Sequence, residues 1–273
     1  MVMPKEWSRR DRRLIVLLGV LALFANWTAS SLAAESSASP AATARGSASR
    51  DVTKVLMDAY PAMVRAGADT EHIVVNGNVL PLSDGKEWPT YQERLNHADL
   101  IEQLSQAYPP GCPAKVPSGG DIPEDPGRLR DEAFFKAMYG ESAAVVQGTL
   151  VSVAWFGSTM HVTNVNGVAK HLVAVRDDLA QHPEWLKYLT NPGGSFLWRT
   201  IEGTKRLSGH SFGIAVDINT KYSDYWRWSK GGYKNRIPCE LAAIFERHGF
   251  IWGAKWSHFD TMHFEYRPEL LRG

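Results

Sequence analysis

The chain has 273 residues, with 30 Lys and Arg side chains against 29 Asp and Glu, 44% hydrophobic residues and two cysteines. The apolar fraction is that of a globular protein, which excludes a chain disordered throughout. A formal net charge of +1 offers no general attraction for phosphate, so we predict no nucleic-acid partner. Two cysteines are too few for a disulfide scaffold or a four-cysteine zinc site. Any metal must therefore be held by histidine and carboxylate side chains.

The N-terminus has the pattern of a secretory signal peptide. Five basic residues lie within the first 13 positions and are followed by the apolar run Leu14 to Phe24. Eleven residues rise only about 16 Å as a helix, which is too short for a hydrocarbon core of about 30 Å. Small residues up to Ala34 supply a cleavage site. We therefore predict export to the periplasm or cell envelope, with residues 1–34 removed as a signal peptide. An uncleaved membrane anchor is the alternative, and this segment would then be the protein's membrane contact.

Residues 35–50 are rich in serine and alanine and predict a flexible linker. From residue 51 to residue 273 the composition is mixed, without another low-complexity break, so we predict a single domain there. Cys112 and Cys239 each lie next to a proline. In an exported protein they either form a disulfide or remain two separate buried thiols. A bridge closing so long a loop would contribute about 4 to 5 kcal/mol in principle.

The first half of the domain predicts a hairpin followed by a helix. Residues 72–82 form two short apolar runs around Asn76-Gly77, which is a β-hairpin signal. Leu95 to Tyr108 has apolar residues at helical spacing, and Pro109-Pro110-Gly111 stops that pattern.

The second half predicts a pair of strands and two longer helices. The run Gln147 to Val165 favours strands, with Gly157-Ser158 as their turn. Residues 168–181 predict a helix. After Pro238, apolar residues recur every three or four positions up to Gly249, a suitable residue to follow a helix. Strands and helices in no strict alternation predict an α+β fold.

Residues with chemical potential are concentrated in two segments, Ser208 to Ile218 and Trp256 to Tyr266. In the first, alternating aliphatic residues predict a strand that places Asp217 on the face opposite its apolar neighbours. His210 precedes Asp217 by seven residues. Gly213 offers the bend that brings the imidazole of His210 back toward Asp217.

The second segment predicts another strand, in which His263 and Glu265 share one face. Asp260 precedes His263 by three residues. Two imidazoles and a carboxylate form the ligand set of a catalytic zinc site, which keeps one position open for water. We therefore predict one Zn²⁺ held by His210, Asp217 and His263, with Asp260 as the acid that does not bind the metal.

These residues predict hydrolysis of a peptide bond. Zinc lowers the pKa of a bound water from about 15.7 toward about 7 and polarises a carbonyl. Asp260 would accept the proton of the water and return it to the leaving amine. Glu265 could be a base, an ion-pair partner of Arg267 or the acceptor that orients His263. We predict the last role, since ligating imidazoles need an acceptor for their other N–H. His258 is expected to form part of the polar lining of the cleft.

Each of these residues also has a purely structural explanation. A histidine on a mixed face is often a hydrogen-bonded residue of the fold, and Asp217 could cap a turn. Asp260 could accept hydrogen bonds from the backbone amides of Thr261 or Met262.

Taken as they stand, the two segments resemble the zinc peptidases of the LAS superfamily (lysostaphin, D-Ala-D-Ala metallopeptidase, sonic hedgehog). The closer resemblance is to the branch of D-alanyl-D-alanine carboxypeptidases and L-alanyl-D-glutamate endopeptidases of peptidoglycan. That branch has the pattern S-x-H-x-x-G-x-A-x-D, followed by an acid-x-x-His and an aromatic residue. The matching positions here are Ser208, His210, Gly213, Ala215 and Asp217, then Asp260, His263 and Phe264.

The resemblance covers residues 196–271 and implies a small antiparallel sheet flanked by helices, with zinc held by the three residues named above. It also implies peptidoglycan stem peptides as substrates and leaves the choice between carboxypeptidase and endopeptidase open. Asp260 departs from several relatives, which carry glutamate there. Ser208 is assigned to substrate binding or to support of the ligands. Arg199 or Arg206 would clamp a substrate carboxylate bidentately, with a surface charge as the alternative.

Aromatic residues are abundant between the two motifs. We expect them to pack under a long loop, and the alternative is that they line a groove for peptide or glycan. These residues are Tyr222, Tyr225, Trp226, Trp228 and Tyr233.

Two other functions compete with a zinc peptidase. Gly209 to Gly213 fits G-x-S-x-G, which would make Ser211 the nucleophile of a serine hydrolase. That motif needs a strand before the serine and a helix after it, whereas the order of elements predicted here is the reverse. A zinc-stabilised module that binds the cell wall without turnover is the other alternative. The competent side chains at all four proposed catalytic positions argue against it.

Overall fold

The computed structural model describes residues 51–112 and 123–272. The predicted signal peptide and linker lie outside the described residues. Within those two ranges, no helix combines the length and apolar character needed to cross a lipid bilayer.

The described residues form an α+β fold, as predicted. The helices are residues 51–59 (α1), Tyr91–His97 (α2), Leu100–Gln103 (α3), Glu132–Tyr139 (α4), Ala143–Gln147 (α5), Val168–Leu179 (α6), Leu186–Leu189 (α7) and Cys239–Arg247 (α8). The strands are Val64–Ala66 (β1), His72–Val75 (β2), Asn78–Pro81 (β3), Leu150–Trp155 (β4), Ser158–Thr163 (β5), Pro192–Gly194 (β6), Ala215–Asn219 (β7), Phe250–Trp252 (β8) and His263–Tyr266 (β9).

The strands of the described residues make three antiparallel sheets. The first contains β1, β2 and β3 in that order, and the second is the hairpin of β4 and β5. The third has the order β6-β7-β9-β8, and each of its neighbouring pairs is antiparallel. The predicted small antiparallel sheet is therefore confirmed.

Several local predictions are confirmed, with one small shift. The first hairpin turns at Asn76-Gly77, where both residues have positive φ, as a two-residue turn of this kind requires. The hairpin of β4 and β5 turns at Phe156-Gly157, one residue earlier than predicted. Helices α6 and α8 occupy the predicted segments, and Gly249 follows α8.

The prediction of a single helix from Leu95 to Tyr108 is wrong. Helix α2 ends at His97, and α3 begins after Asp99. The Asp99 carboxylate accepts a hydrogen bond of 2.8 Å from the backbone N–H of Glu102, so it caps the start of a new helix. A short acidic side chain that bonds the local backbone in this way competes with helix continuation.

The four-stranded sheet has one apolar face and one polar face. Val216, Ile218 and Phe264 are fully buried, and the Phe264 ring stacks on Phe245 of α8 at 3.8 Å between centroids. Because side chains alternate along a strand, the polar residues of β7 and β9 point away from this core. Asp217 and His263 are directly opposite each other in the register of the two strands. The sheet thus brings together residues that are far apart in sequence.

A disulfide joins Cys112 to Cys239 at the start of α8, with 5.7 Å between their Cα atoms. Of the two alternatives left open by the sequence, the structure contains the bridge. The same segment is held by the buried Lys255, whose ammonium donates to the carbonyl of Gly111 and to the Glu246 carboxylate at 3.0 and 2.6 Å.

Candidate metal centre

Local sequence places His210 one turn before β7. Ser208 caps a short 3₁₀ helix, Gly209–Phe212, and its side chain accepts from the backbone N–H of His210 at 3.4 Å. Gly213 ends this turn with a φ of +68°, and a Cβ there would lie 2.9 Å from the backbone nitrogen of Thr163. Glycine is therefore required at this position. The bend returns the imidazole of His210 toward the strand, as the sequence predicted.

Three potential metal ligands converge at the polar face of the sheet. The Asp217 carboxylate lies 3.2 Å from Nε2 of His210 and 3.1 Å from Nδ1 of His263. The two ring nitrogens lie 3.2 Å from each other. One ligand atom from each residue falls within 4.8 Å of the others. The three residues predicted as zinc ligands therefore meet in space.

The other nitrogen of each imidazole has its own acceptor. Nδ1 of His210 lies 2.5 Å from the carbonyl oxygen of Ser195, and Nε2 of His263 lies 3.3 Å from the Glu265 carboxylate. When each of these nitrogens carries the proton, the nitrogens that face Asp217 have free lone pairs. Ligating histidines generally have such an outer acceptor. Two histidines and one carboxylate also suit a zinc ion, so the donor set fits the predicted metal.

The carboxylates of Asp217 and Glu265 favour a positive charge at the position of the His263 ring between them. Burial raises the pKa of Asp217, but the imidazoles of His210 and His263 outweigh burial and hold it well below its usual range. Burial lowers the pKa of His263, but hydrogen bonds from its ring to Asp217 and Glu265 outweigh burial and raise it to about 10. A metal ion would supply the same positive charge.

Asp260 lies beside this centre with an unpartnered carboxylate oxygen. Its backbone N–H donates to the carbonyl of Gly253 at 3.0 Å, and its carbonyl accepts from the N–H of His263 at 3.2 Å. Its Oδ1 is buried without a hydrogen-bond partner among the described residues. Burial raises the pKa of this carboxyl to about 6; nearby His263 opposes the rise and Asp217 adds to it. This oxygen does not have the backbone-capping role that the sequence offered as an alternative.

We expect Asp260 to titrate near pH 6 in the metal-free protein, being protonated below that pH and ionised above it. Zinc should move the titration to lower pH because a nearby cation stabilises the carboxylate. Carbon NMR of the aspartate carboxyl groups, with and without zinc, measures both values. A titration near pH 4 that zinc leaves unchanged would contradict the placement of Asp260 beside the metal.

Behind His263, Glu265 is the centre of a buried ionic network. Its carboxylate accepts from Arg130 at 3.1 and 3.2 Å and from Arg267 at 3.2 Å. Arg267 also donates to Glu269 at 2.6 Å, and the Tyr60 hydroxyl donates to the same carboxylate at 2.6 Å. Burial raises the pKa of Glu265, but Arg130, His263 and Arg267 hold it well below its usual range. Glu265 thus contacts both His263 and Arg267, the two partners that the sequence offered as alternatives.

The arginines near the centre differ in their roles. Arg199 is exposed and lines the cavity above the centre. Arg206 is buried and donates to the backbone carbonyl of Arg128 at 2.7 Å, and it does not line that cavity. It is therefore neither the substrate clamp nor the surface charge that the sequence suggested. Arg128 and Arg130 line the cavity, and sequence reasoning missed both.

The cavity has a volume of about 240 Å³. The cavity is lined by the three proposed ligands and Asp260, and by basic and aromatic side chains. Its other lining residues include Gly127, Arg128, Arg130, Arg199, Ile201, Glu202, Ser208, Gly209, Tyr225, Trp228, Trp256, Met262 and Glu265.

Two predicted site residues have structural roles instead. Ser211 is fully buried, and its hydroxyl donates to the backbone carbonyl of Arg199 at 2.8 Å. It does not line the cavity, so the serine-nucleophile alternative is wrong. His258 does not line the cavity either. Its Nδ1 and backbone N–H instead bond the buried Asp125 carboxylate at 2.6 and 2.8 Å.

Residues 202–266 match the model of a protein family described as D-alanyl-D-alanine carboxypeptidase. The match spans both motifs and supports the family resemblance that the sequence predicted. A peptidase is the class of protein that it indicates. No curated protein and no solved structure matches the chain.

Proposed function

We propose, from its similarity over residues 202–266 to the D-alanyl-D-alanine carboxypeptidase family, that this protein is an exported zinc peptidase acting on the stem peptides of peptidoglycan. The observation that carries the proposal is the convergence of His210, Asp217 and His263 beside the unpartnered oxygen of Asp260. A D,D-carboxypeptidase and an L-Ala-D-Glu endopeptidase both remain within this proposal. Export is supported by the signal-peptide pattern of the N-terminus and by the disulfide.

Each side chain of the centre has a separate task. A bound zinc ion supplies a Lewis acid that polarises a carbonyl and makes water more acidic. Asp260 accepts the proton of the attacking water and delivers it to the departing amine. Glu265 and the Ser195 carbonyl hold the imidazoles in the orientation that exposes their lone pairs to the ion.

Arg128 supplies a positive charge on the cavity wall. Its guanidinium lies over the Trp256 ring, 5.4 Å from the ring centroid, and donates to the backbone carbonyl of His258 at 3.3 Å. None of the ion pairs among the described residues includes it, and its Nε is buried without a hydrogen-bond partner there. It is thus available to a carboxylate of the substrate or to the charge that develops on the carbonyl oxygen.

Digestion of purified peptidoglycan tests this function. The zinc-loaded protein should release peptide fragments that mass spectrometry identifies, a chelator should stop the release, and added zinc should restore it. Ser211→Ala is the matched control and should keep chelator-sensitive activity if it folds. Activity that survives chelation, or binding to the wall without hydrolysis by the zinc-loaded protein, would contradict the proposal.

A further inference from the structure

One wall of the cavity carries Ile201, Tyr225 and Trp228, together with the charged residues Arg199 and Glu202. Two segments form this wall, the turn around Ile201 and the loop that carries Tyr225 and Trp228. The loop is tied to the turn because Arg227 donates to the backbone carbonyl of Glu202 at 3.5 Å and lies 3.7 Å from its carboxylate. The wall is therefore built from segments that contact each other.

Trp228 is presented to solvent by an ordered turn. Its side chain is 77% exposed, although its backbone N–H donates to the carbonyl of Tyr225 at 3.0 Å. The two rings contact edge to face, with 5.1 Å between centroids. Tyr225 in turn forms a backbone bridge with Asp260. The turn thus fixes an exposed indole relative to the proposed catalytic acid. The expectation that all the aromatic residues pack under a loop is wrong for Trp228.

An exposed indole beside a reaction cavity favours a ligand that can cover its face. Tryptophan provides a large, rigid contact surface at low entropic cost and is enriched at binding hot spots. Stem peptides consist mainly of alanine, glutamate and a diamino acid, whose side chains offer little apolar surface of this size. The sugars of the glycan strand do offer it, because one face of a pyranose ring is lined by C–H groups and its edge by hydroxyls. The indole can cover the C–H face, while Arg199 and Glu202 lie on the same cavity wall and can bond the hydroxyls.

The size of the cavity limits the distance between that sugar and the bond that is cut. A volume of about 240 Å³ is smaller than the 300–1,000 Å³ or so that is common for drug-sized ligands. Trp228 and the proposed ligands line this one cavity. A short piece of stem peptide is therefore enough to join a sugar on Trp228 to the scissile amide.

We propose that Trp228 and Tyr225 form a subsite for a sugar ring of the glycan. The enzyme then cuts stem peptides close to the point at which they are attached to the glycan, while they are still attached. This inference rests on the proposed peptidase function and adds the part of the substrate that is recognised. It favours a bond near the first stem residue over the terminal D-Ala-D-Ala bond.

Two substrates with the same peptide test this subsite: a disaccharide-pentapeptide and the free pentapeptide. The wild-type protein should hydrolyse the disaccharide form with a kcat/KM higher by a factor of about ten, which corresponds to about 1.4 kcal/mol. Trp228→Ala should reduce this ratio toward one, and Trp228→Phe should keep part of it. Trp88→Ala is the control. Trp88 stacks on His97 at 4.2 Å and does not line the cavity, so this variant should keep the full ratio.

The outcomes separate this inference from the proposed function. Hydrolysis of neither substrate by the zinc-loaded wild-type protein would contradict the proposed function itself. Hydrolysis of both at equal kcat/KM, or an equal loss on both in Trp228→Ala, would overturn the sugar subsite alone. Mass spectrometry of the products adds a second readout, since release of the terminal D-Ala alone would contradict cleavage close to the glycan.

Discussion

Asp260→Asn is expected to lower kcat by a factor of about 10² to 10⁴, the usual contribution of a general acid–base residue. The amide has the shape of the carboxyl group but cannot accept the proton of the attacking water. Zinc binding should persist, because Asp260 is not one of the three converging ligands. Folding should persist too, since burial already disfavours the charged form of this side chain. Hydrolysis of muropeptides and zinc content measure the two effects separately.

The matched control is Asp178→Asn. Asp178 lies on α6, is 46% exposed and pairs with His248, so its replacement should leave kcat unchanged. Full activity in Asp260→Asn would show that another group moves the proton. Loss of zinc from this variant would instead make Asp260 a ligand.

Glu265→Gln is expected to destabilise the fold by about 3 to 5 kcal/mol, the usual cost of removing one partner from a buried ion pair. The substitution removes the negative charge that faces Arg130, Arg267 and the ring of His263. Two guanidinium groups would then remain buried with less compensation. Denaturant unfolding monitored by fluorescence gives the loss from the shift in midpoint at constant slope.

Glu184→Gln is the same substitution at an exposed pair, where Glu184 is 59% exposed and contacts His182. Its effect should stay within about 0.5 kcal/mol. Equal stability of the two variants would contradict a structural role for the network around Glu265. If Glu265→Gln folds, it should also bind zinc more weakly, since one imidazole loses its charged acceptor.

The elements and site residues predicted correctly are those that local patterns specify. The hairpin at Asn76-Gly77 follows from turn chemistry, and strands β7 and β9 follow from the alternation of apolar and polar residues. That alternation also placed Asp217 and His263 on the polar face of their strands. Their direct opposition depends on the register between the two strands, which the resemblance implied and periodicity alone does not supply.

The features that sequence reasoning missed depend on contacts between distant segments. Arg130 reaches Glu265 across 135 positions of the chain, and no motif surrounds it. Arg128 lies in the same unmatched segment. Arg206 precedes the first motif and looked available to substrate, yet its guanidinium is buried against the backbone of Arg128. The spacing of apolar residues predicts a helix that continues through Asp99. That spacing contains no information about a side chain that caps a new helix.

The proposed function requires that His210, Asp217 and His263 hold one zinc ion. Anomalous X-ray scattering at the zinc edge, from crystals of the zinc-loaded protein, tests it most directly. We expect one strong peak within about 2.0 to 2.2 Å of Nε2 of His210, Nδ1 of His263 and a carboxylate oxygen of Asp217. A protein that is folded in excess zinc and shows no peak there, or a peak held by other residues, would contradict it.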